Sequence, residues 1–174
     1  MKSKIAITKR LLTLWRSLID LIAPRACEMC GTRLGINERL ICTTCNALLP
    51  RTDDASSPYD NHTARRLWGL VPVERCASFV KYHPHTPFAT LIYRLKYGGR
   101  EDIGEEIGRM MAADYMPSGF FDGIDAIVPM PLHKRRRRER GYNQSCEVAR
   151  GISELTHIPC LLYTSPSPRD YAAS

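Results

Sequence analysis

The sequence predicts an α/β protein with a small cysteine module ahead of its main domain. Three observations predict it. Four of the seven cysteines fall in two Cys-x-x-Cys pairs, Cys27/Cys30 and Cys42/Cys45. A short apolar run, Ile124 to Val128, reads as a buried strand closed by Pro129-Met130-Pro131, because proline cannot extend a central ladder. That run sits in a helix, strand, loop, helix order, which is the rhythm of a parallel sheet. The composition, 44% hydrophobic and 25% charged over 174 residues, is that of a folded chain. No apolar run approaches the roughly 20 residues of a membrane span.

The elements follow in order. Residues 1–24 read as an amphipathic helix, with Leu11, Leu12, Leu14, Trp15, Leu18, Ile19, Leu21 and Ile22 on one broad face and Pro24 as its stop. Such a helix packs on its own domain, or docks on a membrane surface or a partner. A signal peptide is the third reading, and Arg16 and Asp20 break the apolar core it would need. Residues 25–50 form the cysteine module, and the polar, turn-rich stretch 51–63 reads as a linker. Val71 to Tyr82 is β-leaning, with Val73, Phe79 and Val80 as its apolar positions. Thr86-Pro87 is a helix start, followed by Phe88, Leu91, Ile92 and Leu95 on one face and ended by Gly98-Gly99. A second helix is expected from Asp102 to about Tyr115, with Ile103, Ile107, Met110 and Met111 inward. A last one is expected from about Asn143 to Leu155.

The formal net charge of +7 is uneven. Residues 1–26 carry a net +5 and residues 134–140 another +5, so the rest of the chain is acidic. The cationic character therefore belongs to two short segments. The odd cysteine count and the paired spacing argue against a secreted disulfide scaffold, and the expected compartment is cytoplasmic.

Two residues between cysteines let both sulfurs of a tight knuckle face one ion, and the eleven residues between the pairs bring the second knuckle round. Cys27, Cys30, Cys42 and Cys45 are thus expected to hold a structural Zn²⁺ with no open position. Free buried cysteines and an iron–sulfur cluster are the competing readings. Cys76, Cys146 and Cys160 have no knuckle partner and read as small core residues.

The second constellation runs from Val128 to Gln144: a strand end, a proline-fixed turn, the cationic loop Lys134-Arg135-Arg136-Arg137-Arg138-Glu139-Arg140, and a helix start. Helix N-termini and arginine forks both suit phosphate. The segment is therefore expected to meet a polyanion, either a phosphorylated metabolite or a nucleic-acid backbone, against the alternative of a solvated basic loop. Lys134, Arg135, Arg136, Arg137, Arg138 and Tyr142 are the candidate nucleic-acid contacts. Tyr82, Tyr93 and Tyr97 are further aromatic candidates, although tyrosines at helical spacing commonly belong to the core.

Cys27-x-x-Cys30-Gly31 and Cys42-x-x-Cys45, then Leu95-Lys96-Tyr97-Gly98-Gly99-Arg100, then Val128-Pro129-Met130-Pro131-Leu132-His133 with Arg140-Gly141-Tyr142-Asn143-Gln144, together resemble the ComF/GntX family, phosphoribosyltransferase-like proteins linked to DNA uptake. The resemblance covers roughly residues 10–160. It implies a small four-cysteine zinc ribbon over 25–50, followed over 64–160 by an incomplete type I phosphoribosyltransferase-like α/β domain. It implies that Val128 to His133 face a pyrophosphate, with Pro129, Pro131, His133, Arg140, Gly141, Asn143 and Gln144 as candidate ligand contacts, joined by Lys96 and Arg100. It implies single-stranded DNA, phosphoribosyl pyrophosphate and DNA-uptake proteins as partners, with Mg²⁺ only where the pyrophosphate compound binds.

The chain departs from that family in two respects, a missing loop and its last residues. The acidic-acidic-hydrophobic-Thr-Thr-Gly loop that grips a ribose 5′-phosphate has no counterpart, since Asp53-Asp54 and Glu105-Glu106 lack its sequel. Residues 161–174 are proline- and serine-rich, and read as non-native sequence after a truncated frame or as a short disordered tail. The expectation is therefore a DNA-uptake accessory protein without transferase activity in these 174 residues, the alternative being a transferase left inactive by truncation.

Overall fold

The computed structural model describes residues 24–161. The helix expected over 1–24 and the tail 161–174 thus lie outside the described residues, except for Pro24 and Leu161. The chain divides into two compact units, Met1–Leu49 and Pro50–Ser174.

In the first unit, Arg25 to Leu34 is a hairpin-like turn. Ala26 bridges Arg33 in antiparallel fashion, and the Cys27 and Leu34 amides donate to the Thr32 and Arg25 carbonyls, each at 2.8 Å. Gly31 takes φ 76°, the left-handed region that lets the first knuckle close. A five-residue helix α1, Thr43–Ala47, follows Cys42 and carries the second knuckle. Leu34, Leu40, Ile41 and Leu49 are buried with three of the cysteines, too little apolar surface for an independent core.

In the second unit, helix α2 (His62–Leu67) is capped by Asn61, whose Oδ1 accepts from the Ala64 amide at 2.8 Å. Within 51–63, Asp54 is buried and accepts from the Ser78 amide at 2.8 Å and the Thr63 hydroxyl at 2.5 Å. Helix α3 spans Pro87–Tyr97, with the Thr86 hydroxyl accepting from the Ala89 amide at 3.2 Å and Gly98 at its end. It buries Phe88, Leu91 and Leu95. Helix α4 spans Glu101–Tyr115 and buries Ile103, Ile107 and Met110, as the periodicity predicts; Met111 is only half-buried. Helix α5 is Lys134–Arg140, and helix α6 is Gln144–Thr156.

The core of this unit is the crossing of α4 and α6, and glycines set its depth. A Cβ on Gly151 would stand 1.9 Å from the Glu105 carbonyl oxygen, and one on Gly108 would stand 2.1 Å from that of Val148. The two backbones touch where any side chain would separate them. At the rim, Arg109 donates to Glu106 at 2.8 Å and, across the pair, to Glu154.

Two expectations need correction. The strands read over Val71–Tyr82 and Ile124–Val128 are each a single isolated bridge: Arg51 with Val80, antiparallel, and Ile127 with Cys160, parallel. A strand is defined by its neighbours. Ile127 has one among the described residues, held by Ile127 N–H to Pro159 O and Leu161 N–H to Ile127 O, both 2.9 Å. Val128, read as buried, is 65% exposed. The regular secondary structure of the described residues is therefore almost entirely helical. The second correction is the cationic loop, which is the helix α5. Lysine, arginine and glutamate are good helix formers. His133 Nδ1 accepts from the Arg135 amide at 3.4 Å, Arg135 pairs with Glu139 at 3.0 Å, and Gly141 ends the helix at φ 83°. Among the described residues, no helix is long and apolar enough to cross a membrane.

Candidate metal centre and candidate anion-binding surface

The four knuckle sulfurs converge. The Sγ atoms of Cys27, Cys30, Cys42 and Cys45 lie within 4.8 Å of one another, and those of Cys30 and Cys42 are 3.7 Å apart. A tetrahedron with metal–sulfur bonds of about 2.3 Å has sulfurs about 3.8 Å apart, so this donor set fits one soft or borderline ion with only a small contraction. Backbone amides already face the sulfurs, from Cys42 to Cys27 Sγ at 3.3 Å and from Cys45 to Cys42 Sγ at 3.5 Å. Such contacts stabilise thiolates. Contacts with the side chain and backbone of Thr32 push the Cys30 thiol down to about 6, whereas burial pushes Cys45 up.

A brace that the sequence did not reveal holds the loop between the knuckles. Glu38 accepts from the amides of Gly35 and Thr43, each at 2.6 Å, and from the Thr43 hydroxyl at 2.7 Å. The Gly35 amide foremost, with Thr43, holds this carboxyl below its usual range. The carboxylate pins the start of α1, and with it Cys45.

In the second unit, the end of α3 and the segment from Met130 to Gln144 meet. Arg140 is half-buried. Its guanidinium lies over the Tyr97 ring, 5.4 Å from the centroid, and donates to Gln144 Oε1 at 2.8 Å. The hydroxyl of Tyr142 donates to the Leu95 carbonyl. Asn143 caps α6 through Oδ1, which accepts from the Ser145 amide at 3.1 Å, while its Nδ2 donates to the Met130 carbonyl at 3.0 Å. Gln144 is buried and also donates to the Tyr142 carbonyl at 3.4 Å. The polar atoms of Asn143 and Gln144 thus hold the proline turn, the end of α5 and the start of α6 together.

The other expected contacts sort by exposure. Pro129 is buried; Pro131, His133, Gly141 and Lys96 are exposed. Arg100 forks onto Asp102 at 2.8 and 2.7 Å and holds that carboxyl below its usual range. Lys134 to Arg138 are all exposed. Tyr142 corrects an expectation, because at 8% exposure with its hydroxyl bound it offers no face for stacking. Of the further aromatic candidates, Tyr82, Tyr93 and Tyr97 all face solvent, at 63%, 64% and 60%, and Tyr97 is the one that meets Arg140. An open, mainly apolar groove of about 310 Å³, lined by Ile127, Pro129, Val148, Ala149 and Ile152 with Gln144 and Ser145 as its polar members, runs beside the start of α6. Its scarcity of polar groups makes it a poor phosphate site.

Known proteins resemble this chain over most of its length. The chain is 28% identical over 148 residues to the DNA utilization protein YhgH of Escherichia coli K12, covering 79% of this chain and 64% of that protein. It is 27% identical over 135 residues to the protein of that name in Salmonella typhimurium, and 25% identical over 149 residues to Competence protein F of Haemophilus influenzae. The Salmonella match covers 72% of this chain and 59% of that protein; the Haemophilus match covers 78% and 62%. This chain is a distant relative of the ComF-type proteins. It spans less than two thirds of the length of these ComF-type relatives. No family model and no solved structure matches it.

Proposed function

We propose that this ComF-type chain belongs to a DNA-uptake accessory protein of the cytoplasm that holds single-stranded DNA along α5. One observation carries the reading. Lys134, Arg136, Arg137 and Arg138 are exposed cations without an acidic partner among the described residues, on a chain whose relatives are named for DNA utilization and competence. Cations left unpaired on one short helix form a track for a phosphate backbone. The four-cysteine site holds structural Zn²⁺ in this reading, and its closed tetrathiolate gives the metal a folding role.

The test replaces Arg135, Arg136, Arg137 and Arg138 with glutamine and follows binding of a thymidine 20-mer by fluorescence anisotropy across a salt series. Each lost phosphate contact should lower the slope of log affinity against log salt by about 0.7. Unchanged affinity and slope would remove α5 from the interface.

A second reading rests on the Asn143 bond to the Met130 carbonyl, which holds the Pro129–Pro131 turn against the start of α6. On a phosphoribosyltransferase-like fold, that turn would face phosphoribosyl pyrophosphate and its Mg²⁺. These residues supply no ribose-phosphate loop, so the expected result is binding without transfer. Turnover of the compound with any nucleobase would contradict it.

A further inference from the structure

Helix α3 is amphipathic in an unusual way. Its inner face buries Phe88, Leu91 and Leu95, and its outer face carries two aromatic rings where charged side chains are usual. Tyr93 and Tyr97 stand one helical turn apart, with ring centroids 4.9 Å apart and planes tilted by 47°. Neither hydroxyl is needed to satisfy a buried group, since both residues lie mostly in solvent. Two adjacent exposed rings expose apolar surface that folding alone gives no reason to keep.

The rings are tied to the basic segment. Arg140, the last residue of α5, lies over Tyr97 and is fixed there by Gln144. A row of cations thus ends on a guanidinium that covers part of an aromatic pair. Charge alone reads a phosphate backbone. Rings beside it can read only bases that are unstacked, as in a single strand, because every base has a face to stack and duplex bases keep theirs covered.

We propose that Tyr93 and Tyr97 form a base-stacking platform that continues the cationic track of α5 through Arg140 and makes the surface selective for single strands. The inference rests on the single-strand reading above and adds the source of its selectivity. The bases stack on the outer faces of the pair while phosphates run towards Arg136–Arg138.

The experiment compares a thymidine 20-mer with an abasic 20-mer of equal charge, using the full chain and the variants Y93A/Y97A and Y93F/Y97F. Both tyrosines are exposed, and circular dichroism checks that the variants fold. The platform predicts that the full chain binds the thymidine strand more tightly than the abasic one, by about fivefold to a hundredfold for each stacked base. Y93A/Y97A should bring the thymidine strand to the abasic affinity without changing abasic binding or its salt slope. Y93F/Y97F should keep the preference, because stacking needs the ring and not the hydroxyl. Equal affinity of the full chain for both strands would overturn the platform and leave the charge-based single-strand reading standing. Failure to bind either strand would overturn both.

Discussion

Arg140 lies over the ring of Tyr97, 5.4 Å from its centroid, and this pair joins two segments 43 positions apart in the sequence. Lys96-Tyr97-Gly98-Gly99-Arg100 closes α3, and Arg140-Gly141-Tyr142-Asn143-Gln144 links α5 to α6. A planar guanidinium can stack on a ring and bond an amide oxygen at once; an ammonium cannot reproduce both. A double-mutant cycle on Tyr97→Ala and Arg140→Ala, followed by denaturant unfolding, should give a coupling energy of about 0.5–1 kcal/mol. Arg140→Lys should lose most of what Arg140→Ala loses. A coupling near zero would reduce the contact to proximity.

The Tyr142 hydroxyl gives a second check on how this junction is held. Its bond to the Leu95 carbonyl is buried, and a buried acceptor left unsatisfied carries a penalty. Tyr142→Phe should lower stability by about 1–2 kcal/mol and leave affinity for single-stranded DNA unchanged where both proteins are folded. A selective loss of DNA affinity at full stability would return Tyr142 to the interface.

Helices α3, α4 and α6 were legible because their signals are local: Thr86-Pro87 and Gly98 around α3, and an apolar face on each. The strands were not, since a strand is defined by a partner and the side it pairs on. Val73 and Val128 look like strand interior in sequence and are exposed in the structure. The basic run looked like a loop because of its charge. Yet its residues favour helix, and His133 and Gly141 stand at its two ends. The convergence of the four cysteines was legible, because Cys-x-x-Cys spacing encodes its own geometry, whereas the Glu38 brace between them was not. Which tyrosine is buried was not, because Tyr142 and Tyr97 differ only in what the tertiary fold sets against them.

Gly104-x-x-x-Gly108 shows the same limit. Glycine inside a helix reads as a weak point until the partner helix is known. With α6 in place, it is the contact. Gly151→Ala would drive a methyl into the Glu105 carbonyl, so the helices must part. The expected cost is about 3 kcal/mol or more in denaturant unfolding, against well under about 1 kcal/mol for an alanine at an exposed helical site. A mild effect would mean that the crossing can widen freely.

The metal reading is checked by composition and by protection together. Protein purified in the presence of Zn²⁺ should carry about one equivalent by elemental analysis, and Cys45→Ser should carry far less. Chelation should open residues 24–49 to proteolysis, because that segment buries little else. Glu38→Gln should weaken metal retention without removing a ligand, by loosening the loop that Glu38 pins to Thr43. Full protection after chelation would make the cysteines ordinary core residues.

Glu147 supplies a pH-dependent prediction. It is buried at the α4–α6 crossing, with Arg150 donating to it at 2.6 Å. Burial pushes its carboxyl up, Glu101 and Glu105 add to that push, and Arg150 opposes it. The folded state therefore holds the proton more tightly than the unfolded chain does. The stability this gives is complete below the unfolded carboxylate value and is lost as pH rises through the folded one. At neutral pH the ionised Glu147 is thus a net cost, and a neutral side chain of the same shape removes it. Glu147→Gln keeps an oxygen for Arg150 and should raise Tm by a few degrees at pH 7, with the gain shrinking as pH falls towards about 4. A Glu147→Gln variant less stable than the parent at pH 7 would mean that the Arg150 pair outweighs burial at this crossing.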